Sequence, residues 1–201
     1  DASTLLDSAE QRIFDIRRGK NMQGLQRLNE VIVQTFDRLD LLNPPESENY
    51  RGIPTGIKEL DETITGLNKT DFILLGARPG MGKTSFALNI ARHAAVKAGR
   101  TVAFFSLEMG KEQLCSRLLS TEALVGGTKM RTGKLENDEW VRLVEAGDIL
   151  SRANIYLDDT PSITVPEMKA KLRRLRTVDL VIIDYLQLMT GASRRNDGNR
   201  V

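Results

Sequence analysis

Apolar residues recur at three- and four-residue steps over roughly the first forty positions, a spacing that predicts two amphipathic helices. Leu6, Ala9, Ile13 and Ile16 form one stripe between Leu5 and about Arg18, and Leu25, Leu28, Ile32, Phe36 and Leu39 form another from Asn21 to about Leu42. Neither is followed at once by a segment able to bury it. Asn43-Pro44-Pro45-Glu46-Ser47-Glu48-Asn49 then breaks the periodicity with two prolines and polar residues, which is a linker signal. The boundary placed there separates an α-helical linker region, 1–45, from a second domain, 46–201.

Beyond the linker, short apolar runs alternate with helical periodicity. Phe72 to Leu75 predicts a short buried strand, 83–98 a helix, Thr101 to Leu107 a second strand and 111–124 another helix. A glycine-rich connection (Gly126, Gly127, Gly133) leads to a helix near 138–150 and a strand over 154–157. Thr164-Val165-Pro166-Glu167 fits a capping box, in which hydroxyl and carboxylate each satisfy a free amide at a helix start. That helix is expected to run to about Arg176, and 178–183 reads as the last strand. Strands apolar on both faces and separated by helices predict an α/β fold, a parallel sheet flanked by helices on both sides. No internal repeat is visible.

Composition narrows the class. With 201 residues and 40% of them hydrophobic, the chain can build a core, which excludes wholesale disorder. No apolar run approaches the roughly 20 residues of a membrane span, and Asp1-Ala2-Ser3-Thr4 does not open a secretory signal. With no initiator Met, a processed chain or a fragment is the expectation. A single cysteine, Cys115, excludes an internal disulfide framework and a multi-cysteine metal site, so a cytoplasmic protein with no membrane partner is the simplest expectation. A net charge of +2 does not announce a nucleic-acid binder. The charge is uneven, however: 165–201 holds eight Lys/Arg against four acids. Much of that is a solvated helix face. Arg194, Arg195 and Arg200 instead lie among Gly191, Ser193, Asn196, Gly198 and Asn199, a loop setting suited to phosphate contacts and hence to DNA.

The chemistry concentrates in Ala77-Arg78-Pro79-Gly80-Met81-Gly82-Lys83-Thr84. It matches the phosphate-loop pattern G-x-x-x-x-G-K-[ST], with Ala in place of the first Gly. Gly80 and Gly82 permit conformations a Cβ would forbid, so consecutive N–H groups can face one anion. The helix starting near Lys83 adds unpaired amides and its positive dipole end. Arg78, Pro79, Gly80, Met81, Gly82, Lys83, Thr84 and Ser85 are therefore the expected nucleotide cradle. Lys83 is expected to neutralise the β- and γ-phosphates of ATP, and the Thr84 hydroxyl to bind Mg²⁺. Ala77 is tolerated where φ is negative. The alternative is an ordinary glycine-rich turn from strand to helix.

Asp184 ends the apolar run Leu180-Val181-Ile182-Ile183, where an acid is costly to bury without a partner. Beside a phosphate loop that partner is the Mg²⁺ water shell; otherwise Asp184 is a turn or helix-capping residue. Glu108 follows the strand 101–107. Ligands of parallel sheets gather outside the C-terminal strand ends, so Glu108 and Asp184 are expected to face one nucleotide, with Glu108 polarising the attacking water. Its alternative role is capping the next helix. Asp158 and Asp159, before Thr160-Pro161-Ser162, read as turn formers. His93 reads as packing or surface, Cys115 as a small buried apolar residue and Trp140 as a packing anchor.

These pieces, in this order, resemble the RecA-like ATPase core of the DnaB family of bacterial replicative DNA helicases. The resemblance is carried by Gly52-Ile53-Pro54-Thr55-Gly56 with Leu60-Asp61, Gly66-Leu67, Gly76 through Thr84, Phe105-Ser106-Leu107-Glu108-Met109, Arg131-Thr132-Gly133 and Asp184-Tyr185-Leu186-Gln187-Leu188-Met189. The helix from Leu5-Leu6-Asp7-Ser8-Ala9-Glu10 through Ile13-Phe14 is similar to the family's linker helix. The resemblance implies a homo-hexameric ring motor that encircles single-stranded DNA and unwinds the duplex with ATP. It also implies nucleotide sites between subunits and a linker helix packed on the neighbour, with a primase and a helicase loader as partners. By matching position, Lys83 and Thr84 hold phosphate and Mg²⁺, Asp184 holds the metal and Glu108 activates water. The arginines after Met189 fall where a central-channel DNA loop lies.

Two departures stand out. The connection Arg174-Leu175-Arg176-Thr177 is shorter than the family pattern leads one to expect. The chain also stops at Val201, before the family's sensor and arginine finger, so this chain alone is expected to bind nucleotide but hydrolyse it poorly. The family's N-terminal domain is likewise not found before Asp1. The alternatives are a RecA- or RadA-like recombination or repair ATPase, and a nucleotide-gated assembly switch.

Overall fold

The computed structural model describes residues 27–42 and 52–190. The chain divides into two compact units between Tyr50 and Arg51. In the first, helix α1 spans Leu28–Leu42 and carries the second predicted stripe, with Leu28, Ile32, Phe36 and Leu39 exposed. The predicted first helix, Leu25 and the proline linker lie outside the described residues.

In the second unit the elements run α2 (Lys58–Ile64), α3 (Lys83–Arg92, continued by a wider turn over His93–Lys97), β1 (Val102–Ser106), α4 (Lys111–Ala123), α5 (Gly127–Thr132), α6 (Asn137–Ser151), β2 (Ile155–Asp158), α7 (Val165–Arg173) and β3 (Leu180–Asp184). The strands lie in the order β2-β1-β3, with both pairings parallel. The central strand β1 is buried along its whole length. Its alternating side chains supply two cores. Val102 and Phe104 pack with Leu88 and Ala91 of α3 and Leu114 and Leu118 of α4. Ala103 and Phe105 pack with Ile163 and with Met168 of α7. Helices therefore cover both faces, as parallel strands joined by helical crossovers require. A third cluster, Ala123, Val125, Leu143 and Ala146, joins the end of α4 to α6.

Local signals explain several junctions. The Thr164/Glu167 capping box forms as predicted, with Thr164 N–H donating to Glu167 Oε2 at 2.8 Å. Before α2, the Asp61 carboxylate accepts from Thr55 N–H (2.8 Å), Thr55 Oγ1 (2.7 Å) and Gly56 N–H (3.2 Å), which closes the turn that precedes the helix. His93 is half-buried against Gly56, where a Cβ would come within 2.5 Å of its ring.

Four expectations are corrected. Phe72 to Leu75 is no strand, and all four side chains are exposed. A strand needs a neighbour to pair its backbone donors and acceptors, and among the described residues no strand pairs with Phe72 to Leu75. The glycine-rich connection contains the short helix α5. Cys115 is exposed rather than buried, because α4 buries Leu114 and Leu118 and the next residue points about 100° away. Trp140 is 55% exposed, because α6 turns Glu139, Leu143 and Ala146 inward. Smaller shifts occur at element ends: α7 stops at Arg173, and β3 begins at Leu180.

Glu139 is the charged member of that inward stripe. Its carboxylate accepts from Glu136 N–H at 3.0 Å and from Lys129 Nζ at 2.8 Å. The backbone hydrogen bond and the lysine hold its pKa below the ordinary glutamate value. A depressed pKa contributes stability that is full above the unfolded-state value and is lost as pH falls through the folded value. Thermal melts across the acid range should therefore show Glu139→Gln less stable than the native chain at neutral pH, with the gap closing on acidification. A gap independent of pH would remove Glu139 from the acid transition.

Candidate nucleotide-binding site

The predicted cradle takes the shape its glycines imply. Gly80 and Gly82 have φ of +78° and +87°, the left-handed region that a side chain disfavours. Gly82 is the N-cap of α3, so the helix starts directly at Lys83. A Cβ at either glycine would meet no atom within 4 Å, so conformation rather than crowding calls for glycine here. Ala77 is not among the residues of positive φ, so its replacement of the usual glycine carries no backbone strain. The first turn of α3 leaves its amides without helical partners at the loop, and Leu88 and Ala91 anchor the helix in the core. Arg78, Pro79 and Met81 are exposed on the loop.

Asp184, the last residue of β3, is only 3% exposed. Its Oδ1 lies 2.9 Å from Lys83 Nζ, and its Oδ2 accepts a hydrogen bond from the Thr84 hydroxyl. Both oxygens of a buried carboxylate are thereby satisfied by residues a hundred positions away. The capping alternative is not realised, since the turn Leu186–Leu188 that follows has Tyr185 at its N-cap and no side-chain cap.

Glu108 lies just beyond β1, exposed. Ser106 is in register with Asp184, and Leu107 N–H donates to the Asp184 carbonyl at 2.7 Å. Met109 N–H donates to Ser106 Oγ at 3.1 Å, closing the turn that presents Glu108. Helix α4 is capped by Gly110 with no side-chain bond, so Glu108 does not serve as its cap. Lys83, Thr84 and Asp184 are thus in contact, and Glu108 emerges from the strand tip beside them.

Three residues of the site escaped the sequence reading. The Tyr185 ring lies under the Lys83 ammonium, 4.1 Å from centroid to Nζ. Arg117 donates to Ser85 Oγ at 3.4 Å. Ser106 ties the Glu108 turn as described. Tyr185 and Ser106 had a signal, their closeness to Asp184 and Glu108, and Arg117 had none. Asp158 and Asp159 prove structural: Asp158 accepts from Thr160 N–H at 3.0 Å and pairs with Lys171, and Asp159 accepts from Lys111 N–H at 3.1 Å. Arg194, Arg195 and Arg200 lie outside the described residues.

The donor set suits a hard cation. One hydroxyl and one carboxylate meet at a helix N-terminus, and among the described residues there is no cluster of three or more His, Cys, Asp or Glu. A site of that kind fits Mg²⁺, which is commonly held by one or two protein oxygens together with substrate phosphates and water.

Comparison with known proteins places the chain among helicase relatives. The chain is 43% identical to the replicative DNA helicase DnaC of Bacillus subtilis (strain 168), over 98% of its own length and 44% of that protein. It is 41% identical to the replicative DNA helicase DnaB of Geobacillus stearothermophilus, with the same coverage. The chain thus spans under half the length of these relatives. Among solved structures it resembles one described as an ATPase domain (TM-score 0.75, 28% identity, 88% of this chain and 62% of that one). It also resembles a DnaB-like replicative helicase described with its interactions with primase (TM-score 0.73, 26% identity, 96% of this chain and 46% of that one). The family profile of the DnaB-like helicase C-terminal domain matches residues 52–201, and the chain belongs to that family.

Proposed function

We propose that the chain is the nucleotide-binding part of a replicative DNA helicase subunit, an ATP-dependent ring motor that translocates on single-stranded DNA and unwinds the duplex. In this reading 1–45 is a helical linker and 46–201 the ATPase domain. The observation that carries it is the convergence of Lys83 and Thr84 on buried Asp184, with Glu108 on the adjoining strand tip. The relatives' helicase names favour this over a recombination ATPase or an assembly switch.

ATP and Mg²⁺, when bound, supply the reactive phosphoanhydride and compensate its charge. The chain's residues do the rest. The amides from Gly80 to Ser85 orient the phosphates, and Lys83 neutralises the β- and γ-groups. Thr84 Oγ1 and the Asp184 carboxylate hold the cation. Glu108 accepts a proton from the attacking water, which turns it toward phosphorus.

The assembly is a homo-hexamer, held by the linker helix and by nucleotide sites between subunits. Arg194, Arg195 and Arg200 contact the DNA strand. A primase and a helicase loader are its partners, the first by analogy with the structural relative described with primase. It works in the cytoplasm, at the replication fork on the nucleoid; no described helix is long and apolar enough to cross a membrane.

Nucleotide titrations with and without Mg²⁺ test the site. Mg²⁺ should tighten binding to the native chain, and Asp184→Asn should lose about 10–100-fold of that tightening. Equal Mg²⁺ dependence in the two would remove Asp184 from the metal site. ATP-driven separation of a forked DNA by the complete subunit tests the motor, and ATPase activity without strand separation would favour the switch.

A further inference from the structure

We propose that Tyr185 is a positioning residue for Lys83. Its ring face holds the ammonium in place while leaving the charge and N–H donors free for the phosphates of a nucleotide. The inference rests on the nucleotide-binding reading of the same site.

Lysine is a point charge on a flexible four-carbon stem, and a productive phosphate contact needs that stem fixed. Two groups hold it here, Asp184 Oδ1 at 2.9 Å and the Tyr185 ring at 4.1 Å. They differ in what they leave available. The carboxylate takes a donor and cancels the positive charge, and its other oxygen is already engaged by Thr84. The ring attracts the cation through its quadrupole, carries no net charge and occupies no N–H in a conventional hydrogen bond. A nucleotide competing for the ammonium must displace the carboxylate, whereas it can share the lysine with the ring.

The surroundings strengthen the contact. The Lys83 side chain is only 26% exposed, and a cation held against a ring gains more where water is partly excluded. Tyr185 directly follows β3, whose pairing with β1 from Leu180 to Asp184 anchors the backbone next to it. Lys83 begins α3, fixed by core packing. Lys83 is thus mounted on a packed helix, and Tyr185 sits next to a paired strand. The face of the ring makes the contact, so the phenol hydroxyl is dispensable.

Equilibrium titration of the full chain with a fluorescent ATP analogue at constant ionic strength tests this. Tyr185→Phe and Tyr185→Trp should bind within about twofold of the native chain, whereas Tyr185→Leu and Tyr185→Met should bind about 3–10-fold more weakly. Two aliphatic variants keep the test open if one fails to fold, which circular dichroism reports. In a Lys83→Ala background the same Tyr185 substitutions should have no further effect, since coupled residues are not additive. Equal affinities for the aromatic and aliphatic variants, or an undiminished aliphatic penalty without Lys83, would overturn the assignment. If Lys83→Ala itself bound nucleotide normally, the underlying reading of the site would fall, and this inference with it.

Discussion

Glu108→Gln should slow ATP hydrolysis by about 10²–10⁴-fold while leaving nucleotide affinity nearly unchanged. Glutamine keeps the size and the hydrogen-bonding reach of the side chain but cannot accept a proton from water at neutral pH. Lys83, Thr84 and Asp184 contact one another directly, and Glu108 stands outside that contact, exposed beyond β1. Binding and hydrolysis should therefore separate. Single-turnover hydrolysis and an equilibrium titration, run on the same complete subunit, measure the two. Hydrolysis within about threefold of the native rate would mean that another group activates the water, because a positioned base is worth far more than that.

Phe104→Ala should destabilise the second unit by about 3–5 kcal/mol, enough to consume much of a small domain's margin. Phe104 is fully buried at the centre of β1 and shares its core with Leu88 and Ala91 of α3 and Leu114 and Leu118 of α4. Its loss leaves a cavity where the phosphate-loop helix meets the central strand. Denaturant unfolding measures the change as a lower midpoint at an unchanged slope. The outer-face variant Trp140→Ala is the control. That residue is 55% exposed, so its removal should cost far less than that of Phe104. Comparable losses at both positions would contradict the placement of the core.

Much of the candidate cradle is legible in the sequence because its signal is local. A glycine that must take positive φ, a lysine at the first helical position and a hydroxyl beside it lie within a few residues of one another, so spacing carries the signal. The same holds for the Thr164/Glu167 capping box, whose partners sit within one turn. The alternation of buried runs with helical periodicity likewise announced a parallel sheet with helices on both faces, and β1, β2, β3 and the longer helices of the second unit form close to their expected positions.

Where the reading failed, the deciding quantity was a neighbour rather than a pattern. Phe72 to Leu75 has the apolar content of a strand but no ladder among the described residues, and hydrophobicity cannot supply backbone partners. Residue type predicts burial for Cys115 and Trp140, yet burial follows which helix face meets the core. Glycines 126 and 127 suggested a loop, while α5 shows that a Gly-rich start does not prevent a short helix from forming.

From the order of its residues alone, this protein declared its fold class, a candidate phosphate loop and the candidacy of Asp184 and Glu108, because backbone freedom and side-chain spacing are properties of neighbours along the chain. Folding decided the rest. It joined Thr84 and Lys83 to an acid a hundred residues away, set Ser106 in register with that acid, and laid the Lys83 ammonium over Tyr185. Contacts of this kind depend on strand order and helix packing, which are settled by the balance of burial and backbone pairing over the whole unit.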